Sequence, residues 1–237
     1  DCLSVKSTGS IPNIIEFIEA PWGLNPQGKF NLFPVQRVIL KAHYGIALDE
    51  NPYGFDLAQP VPEDHPNYDS NLVDIDGYYK YRVPITDHLR QNSRVFSEAD
   101  YLRFLFDEGR CNIREVVVGQ ERRHMILSIG RRSGKTLISA CVAAYETYKL
   151  LKRGDPQGYY GLPASNPIQI ISVATSKDQA GFLYSEVSGH YQNCSFFKKF
   201  MANNTQSYAK FQSPADIERF GAYNEDPTAK SGIKVTF

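Results

Sequence analysis

The sequence predicts an α/β fold with a parallel sheet flanked by helices, on three observations. His124–Ile129 and Ile168–Ala174 are apolar runs of strand length. Each precedes a stretch of helical composition, Leu137–Lys152 and about 175–191, and a strand–helix–strand–helix order gives parallel strands with crossover helices. A turn framed by glycine, Gly130-Arg131-Arg132-Ser133-Gly134-Lys135-Thr136, joins the first strand to its helix.

The other elements are placed in chain order. Residues 11–20 have the spacing of a short amphipathic helix, and Trp22–Lys29 is a Gly/Pro-rich loop. Phe33–Gly45 reads as a helix with Pro34 in its first turn and Gly45 past its end. Between Ile46 and Tyr79 there is no Lys or Arg but there are eight carboxylates, interspersed with prolines, which reads as a solvated loop. The loop leads into a hairpin turning at Asp76-Gly77. A calcium loop fails there, because aligning Gly77 with the EF-hand glycine puts Leu72 where a carboxylate is required. Ser97 with Asp100 opens the next helix, Gly109 ends it, and Tyr101, Leu102, Leu105 and Phe106 form its apolar stripe. Residues 154–167 read as a turn-rich connection. Beyond Asn203 the chain reads as polar and irregular, with one short helix at Asp216–Phe220 and a last strand at Ile233–Phe237.

A turn ending in Gly-Lys-Thr after a strand and before a helix is built to hold a nucleoside triphosphate. Its backbone N–H groups face the β- and γ-phosphates, Lys135 adds a point charge, and the Thr136 hydroxyl can ligate Mg²⁺. Three residues separate Gly130 from Gly134 where the standard loop has four, and Arg131 and Arg132 fill the gap. An arginine beside the γ-phosphate can stabilise charge developing during transfer; binding phosphate without catalysis, or a salt bridge at the loop, is an equal alternative. Gln36 could read an adenine edge through its amide, although a surface helix glutamine is the simpler reading.

Composition bounds the rest. With 237 residues, 42% hydrophobic and 22% charged, the chain is an ordinary globular one. Twenty-six basic residues balance 26 acidic ones, so any DNA contact is expected to be local or to lie in a part missing from this sequence. Cys2, Cys111, Cys141 and Cys194 lack zinc spacing, and a reducing intracellular compartment is expected. His43, His65, His88, His124 and His190 are scattered, without a metal-binding pair. No apolar run approaches membrane-span length and no secretory leader is visible, so a soluble protein without a membrane partner is expected.

Taken together, the shortened Arg-bearing loop 130–136, the upstream Phe33-Pro34-Val35-Gln36-Arg37 and the segment Val173–Ala180 after the second strand resemble the large terminase subunit of tailed bacteriophages, over about Phe33–Ala180. The resemblance implies the ATPase part of a motor that packs double-stranded DNA into a prohead, of the additional-strand (ASCE) P-loop type. It implies ATP and Mg²⁺ as cofactors, bound by Gln36, Gly130, Arg131, Arg132, Ser133, Gly134, Lys135 and Thr136. Within that set Arg131 and Lys135 are catalytic, Thr136 is the Mg²⁺ ligand and Gln36 the adenine contact. It also implies a portal protein and a small terminase subunit as partners, assembly as a homo-oligomeric ring, and the host-cell cytoplasm as location.

The departures from that family are an acidic strand after Ala180, which would hold Mg²⁺ and polarise the attacking water, and the nuclease carboxylates; neither is found in the sequence. The expected organisation is therefore an N-terminal extension, 1–95, carrying the adenine-contact helix, the acidic loop and the hairpin, and a partial ATPase core, 96–237. The chain reads as an incomplete protein that binds nucleotide weakly and hydrolyses it negligibly alone. A helicase-like or recombination ATPase, and a non-hydrolysing nucleotide-binding assembly module, are the alternatives.

Overall fold

The computed structural model describes residues 10–30, 32–49, 60–66, 68, 70, 97–130, 133–223 and 231–236. The expected hairpin at Asp76-Gly77, most of the acidic loop before it, and Arg131 and Arg132 lie outside the described residues. The chain divides into two compact units, Asp1–Asn31 with Ser128–Phe237, and Leu32–Leu127. The 95/96 boundary expected from sequence falls inside the second of these.

The first unit holds a four-stranded sheet and the helices packed on it. In chain order its elements are α1 (Ile14–Glu19), then α4 (Lys135–Lys152), α5 (Pro156–Tyr159), β1 (Ile168–Ile171), α6 (Lys177–Asn193), α7 (Ser195–Lys198), β2 (Met201–Asn204), β3 (Tyr208–Phe211), α8 (Pro214–Phe220) and β4 (Ile233–Thr236). The second unit holds α2 (Pro34–Tyr44) and α3 (Glu98–Asp107).

Strand order is β1-β4-β3-β2. Only β1 and β4 are parallel, with Ile168 opposite Ile233 and Ile171 opposite Thr236; β4–β3 and β3–β2 are antiparallel. The sheet is thus mixed, which corrects the all-parallel expectation. The reason is a hairpin, β2–β3, in the stretch expected to be irregular. Met201-Ala-Asn-Asn204 carries no strand-forming composition, but Ala209 and Phe211 alternate inward on β3. The Tyr184 hydroxyl of α6 reaches the carbonyls of Thr205 and Tyr208 at the turn. Tertiary contacts, not local pattern, make this hairpin.

The other correction concerns His124–Ile129, which forms no strand. The run is irregular backbone, and Ile126 is 94% exposed. An apolar run becomes a strand only when a neighbour supplies its ladder of hydrogen bonds, and among the described residues none pairs with this one. Its first four residues, His124–Leu127, instead border a cavity of about 640 Å³ in the second unit, together with Val38, Ile39 and Ala42 of α2 and Leu102 and Leu105 of α3. The chain is led there by two backbone bonds, Gly119 N–H to the Gly45 carbonyl and Arg122 N–H to the His43 carbonyl, each 2.8 Å.

Helix α4 is central to the first unit. Ile138, Cys141, Tyr145, Tyr148 and Leu151 recur every three or four residues and are buried. Phe17 of α1 stacks on Tyr148 with ring centroids 4.6 Å apart, and on the other side Thr147 Oγ1 and the Tyr191 hydroxyl of α6 share a buried hydrogen bond of 2.8 Å. Tyr191 packs edge-on against Phe197 and Phe211, joining helix layer to sheet. Behind β4, the carboxylate of Asp216 accepts from the backbone N–H and hydroxyl of Ser213 and from Gly232 N–H, and the Gln157 amide donates to the Gly232 carbonyl at 2.7 Å.

The second unit is held by an ionic cluster. Glu98, at the start of α3 and buried, accepts from Lys41 and Arg37 of α2 and from Asp49 N–H at 3.1 Å. No described helix is long and apolar enough to cross a membrane.

Candidate functional site

The turn before α4 gathers the phosphate-type residues of the first unit. Gly134 is the N-cap and sits in the left-handed region at φ 76°, where a side chain would be strained, so glycine is required there by backbone geometry. Gly130 is under no such demand, since a Cβ there would meet nothing within 4 Å. The Ser133 hydroxyl donates to the Gly130 carbonyl and closes the turn. The Lys135 ammonium donates to the Ile129 carbonyl at 3.1 Å, so the side chain folds back over the loop.

Among the described residues, no side chain caps the start of α4. The first N–H groups of a helix have no intrahelical partner, and those of an 18-residue helix carry the positive end of its dipole, so this head can receive an anion. Lys135 and Thr136 are exposed. Both line a groove of about 610 Å³, with Ser139 one turn on. Another part of its wall is Ser172–Thr175, where the chain leaves β1, with Gln179 and Leu183 of α6. Strand β1 ends at Ile171, short of the expected Ala174, and Val173 is 89% exposed, which leaves this wall as open loop.

The first turns of α4 and α6 therefore border one groove. Ser176 caps α6 by accepting from Gln179 N–H, and the Thr175 hydroxyl donates to Gln179 Oε1 at 2.8 Å. Below the loop, burial pushes the Cys141 thiol up to about 12, so it is a neutral packing group. Tyr148 is likewise pushed up to about 12 by burial.

Of the residues singled out from sequence, Lys135 and Thr136 line the groove, and Gly130, Ser133 and Gly134 form the turn that leads to it. Gln36 belongs to the second unit. It is 4% exposed, and its Oε1 accepts from Phe33 N–H at 3.0 Å, closing the first turn of α2. Ser139, Ser172 and Leu183 also line the groove and are not singled out by the sequence; of them Ser139, one turn after Thr136 on the same helix face, carries a signal that could have found it. The Thr136 hydroxyl beside the Lys135 charge suits a phosphate-bound Mg²⁺. Among the described residues, no carboxylate lines the groove and no cluster of His, Cys, Asp and Glu could hold a metal by itself.

Residues 55–224 match the family described as "Uncharacterized protein MJ0330, N-terminal P-loop domain". Comparison with curated proteins and with solved structures gave no match.

Proposed function

The chain belongs to the family of the MJ0330 N-terminal P-loop domain, and on that premise we propose that it binds ATP with Mg²⁺ at the head of α4 and forms the nucleotide-binding part of a DNA-packaging ATPase. The observation that carries the nucleotide reading is the convergence of Lys135 and Thr136, at the head of an uncapped 18-residue helix, on one groove with the loop after β1.

The roles follow from the chemistry of each group. The Lys135 ammonium leaves the Ile129 carbonyl for the β- and γ-phosphates, exchanging a neutral acceptor for an anionic one. The N–H groups of the first turn of α4 donate to the same oxygens, and the Thr136 hydroxyl ligates Mg²⁺. Mg²⁺, held by Thr136, would offset the charge that develops on the phosphates. By the resemblance to terminases, Arg131 stabilises the γ-phosphate charge and Arg132 binds phosphate. The packaging part rests on the resemblance of segments 33–37, 130–136 and 173–180 to large terminase subunits. It brings double-stranded DNA, a prohead portal, a small subunit and a ring of copies in the host cytoplasm into the proposal.

A second reading is a nucleotide-binding assembly module without turnover, since the described lining of the groove consists of Lys135, hydroxyl and amide groups that bind phosphate, and apolar residues. Turnover with DNA decides between them. The motor reading expects ATP hydrolysis by the whole protein to rise several-fold with double-stranded DNA and to vanish in Lys135→Ala. Tight ATP binding without DNA-stimulated turnover would establish the module.

A further inference from the structure

We propose that Gln179 is a positioning residue for the terminal phosphate, so that the groove distinguishes a nucleoside triphosphate from a diphosphate. The inference rests on the nucleotide reading and deepens it. Lys135, Thr136 and Ser139 form one part of the groove wall, and Thr175 and Gln179 belong to another. A phosphate chain held by the head of α4 has its terminal phosphate as the outermost group, and that other part supplies the donors for it.

The donor is defined by a fixed hydrogen bond. Thr175 donates its hydroxyl to Gln179 Oε1 at 2.8 Å, and this occupies the acceptor end of the amide. That leaves the Nε2 end, with two N–H groups and no acceptor, as the donor that Gln179 can offer to the groove it lines. Gln179 is itself anchored in the first turn of α6, its backbone N–H bonded to the Ser176 hydroxyl at 3.3 Å, so the amide is carried on a helix head and not on a free loop. Lys135, lining the same groove, donates to the neutral Ile129 carbonyl at 3.1 Å. Among the described residues, no carboxylate lines the groove to repel the phosphate or compete for the amide.

The test is equilibrium binding of ATPγS and of ADP, each with Mg²⁺, to the full chain and to three variants. Gln179→Ala is expected to weaken ATPγS about tenfold, the usual effect of one hydrogen bond to a charged group, and to leave ADP within about twofold. Gln179→Glu replaces the donor with a carboxylate and is expected to weaken ATPγS further. Thr175→Val frees the amide to rotate and is expected to give an intermediate loss for ATPγS alone. Equal losses for the two nucleotides, or no loss, overturn the positioning role even if the wild-type chain binds both. Failure of the wild-type chain to bind either nucleotide overturns the nucleotide reading and this inference with it. Gln179 is exposed, and an unchanged circular dichroism melting curve confirms that each variant is folded.

Discussion

Replacing Gly232 by alanine is expected to destabilise the first unit by about 2–6 kcal/mol, combining overpacking with the loss of a buried hydrogen bond. Gly232 is not in a positive-φ conformation. Its requirement is space. A Cβ there would lie 2.2 Å from Gln157 Nε2 and 2.4 and 2.5 Å from the two carboxylate oxygens of Asp216, all of them buried. Those groups cannot give way freely. Gln157 donates to the Gly232 carbonyl at 2.7 Å, and Asp216 is held by Ser213 and by Gly232 N–H at 3.2 Å. Moving either aside breaks a bond to a group with no water to replace it, at about 1–3 kcal/mol each, on top of about 1–3 kcal/mol for the overpacking itself. The same substitution at Gly189, inside α6 with nothing within 4 Å of the added carbon, is expected to stabilise by about 0.5–1 kcal/mol through lower chain entropy. Urea unfolding followed by circular dichroism reads both, as a lower midpoint for Gly232→Ala and a higher one for Gly189→Ala. A Gly232→Ala midpoint equal to wild type would refute the close-packed network behind β4.

Two more expectations follow from buried charge. Glu98→Ala leaves Lys41 buried without its main counter-ion and is expected to cost about 3–5 kcal/mol, whereas Glu108→Ala, at an exposed position, should be near neutral; paired thermal melts separate the two. Burial holds the His190 imidazole below its usual range, with Glu186 opposing the shift more weakly. The unfolded chain therefore binds a proton more readily than the folded one. The stability contributed at His190 is present above the unfolded value of about 6.5 and is lost as pH falls through it. Stability measured between pH 7.5 and 5 should fall less steeply in His190→Gln than in wild type.

Helices are legible in this sequence because their ends carry local signals. Asn13, Ser97, Ser176 and Ser213 accept from their own first turns, and Gly45 closes α2 in the left-handed conformation. The sheet is less legible. Its parallel pair, β1 with β4, shows in two isoleucine- and valine-containing runs, but the hairpin between them depends on Tyr184 reaching across from α6, and His124–Ile129 has a strand's composition without a strand's partner. The groove divides in the same way. Lys135 and Thr136 stand in a contiguous motif, whereas Ser139, Ser172 and Leu183 meet them only because α4, β1 and α6 are packed together. Gly232, Gln157 and Asp216 lie 75 and 16 residues apart from one another along the chain, and no local pattern joins them.

The central claim is that the head of α4 binds a nucleotide through Lys135. Titration of a fluorescent ATP analogue with Mg²⁺ into the wild-type chain and into Lys135→Ala tests it most directly. Saturable binding that weakens at least about tenfold in the variant, the loss of a charge-assisted contact to phosphate, is the predicted result. Equal affinity in the two chains, or no binding by wild type, would contradict the claim.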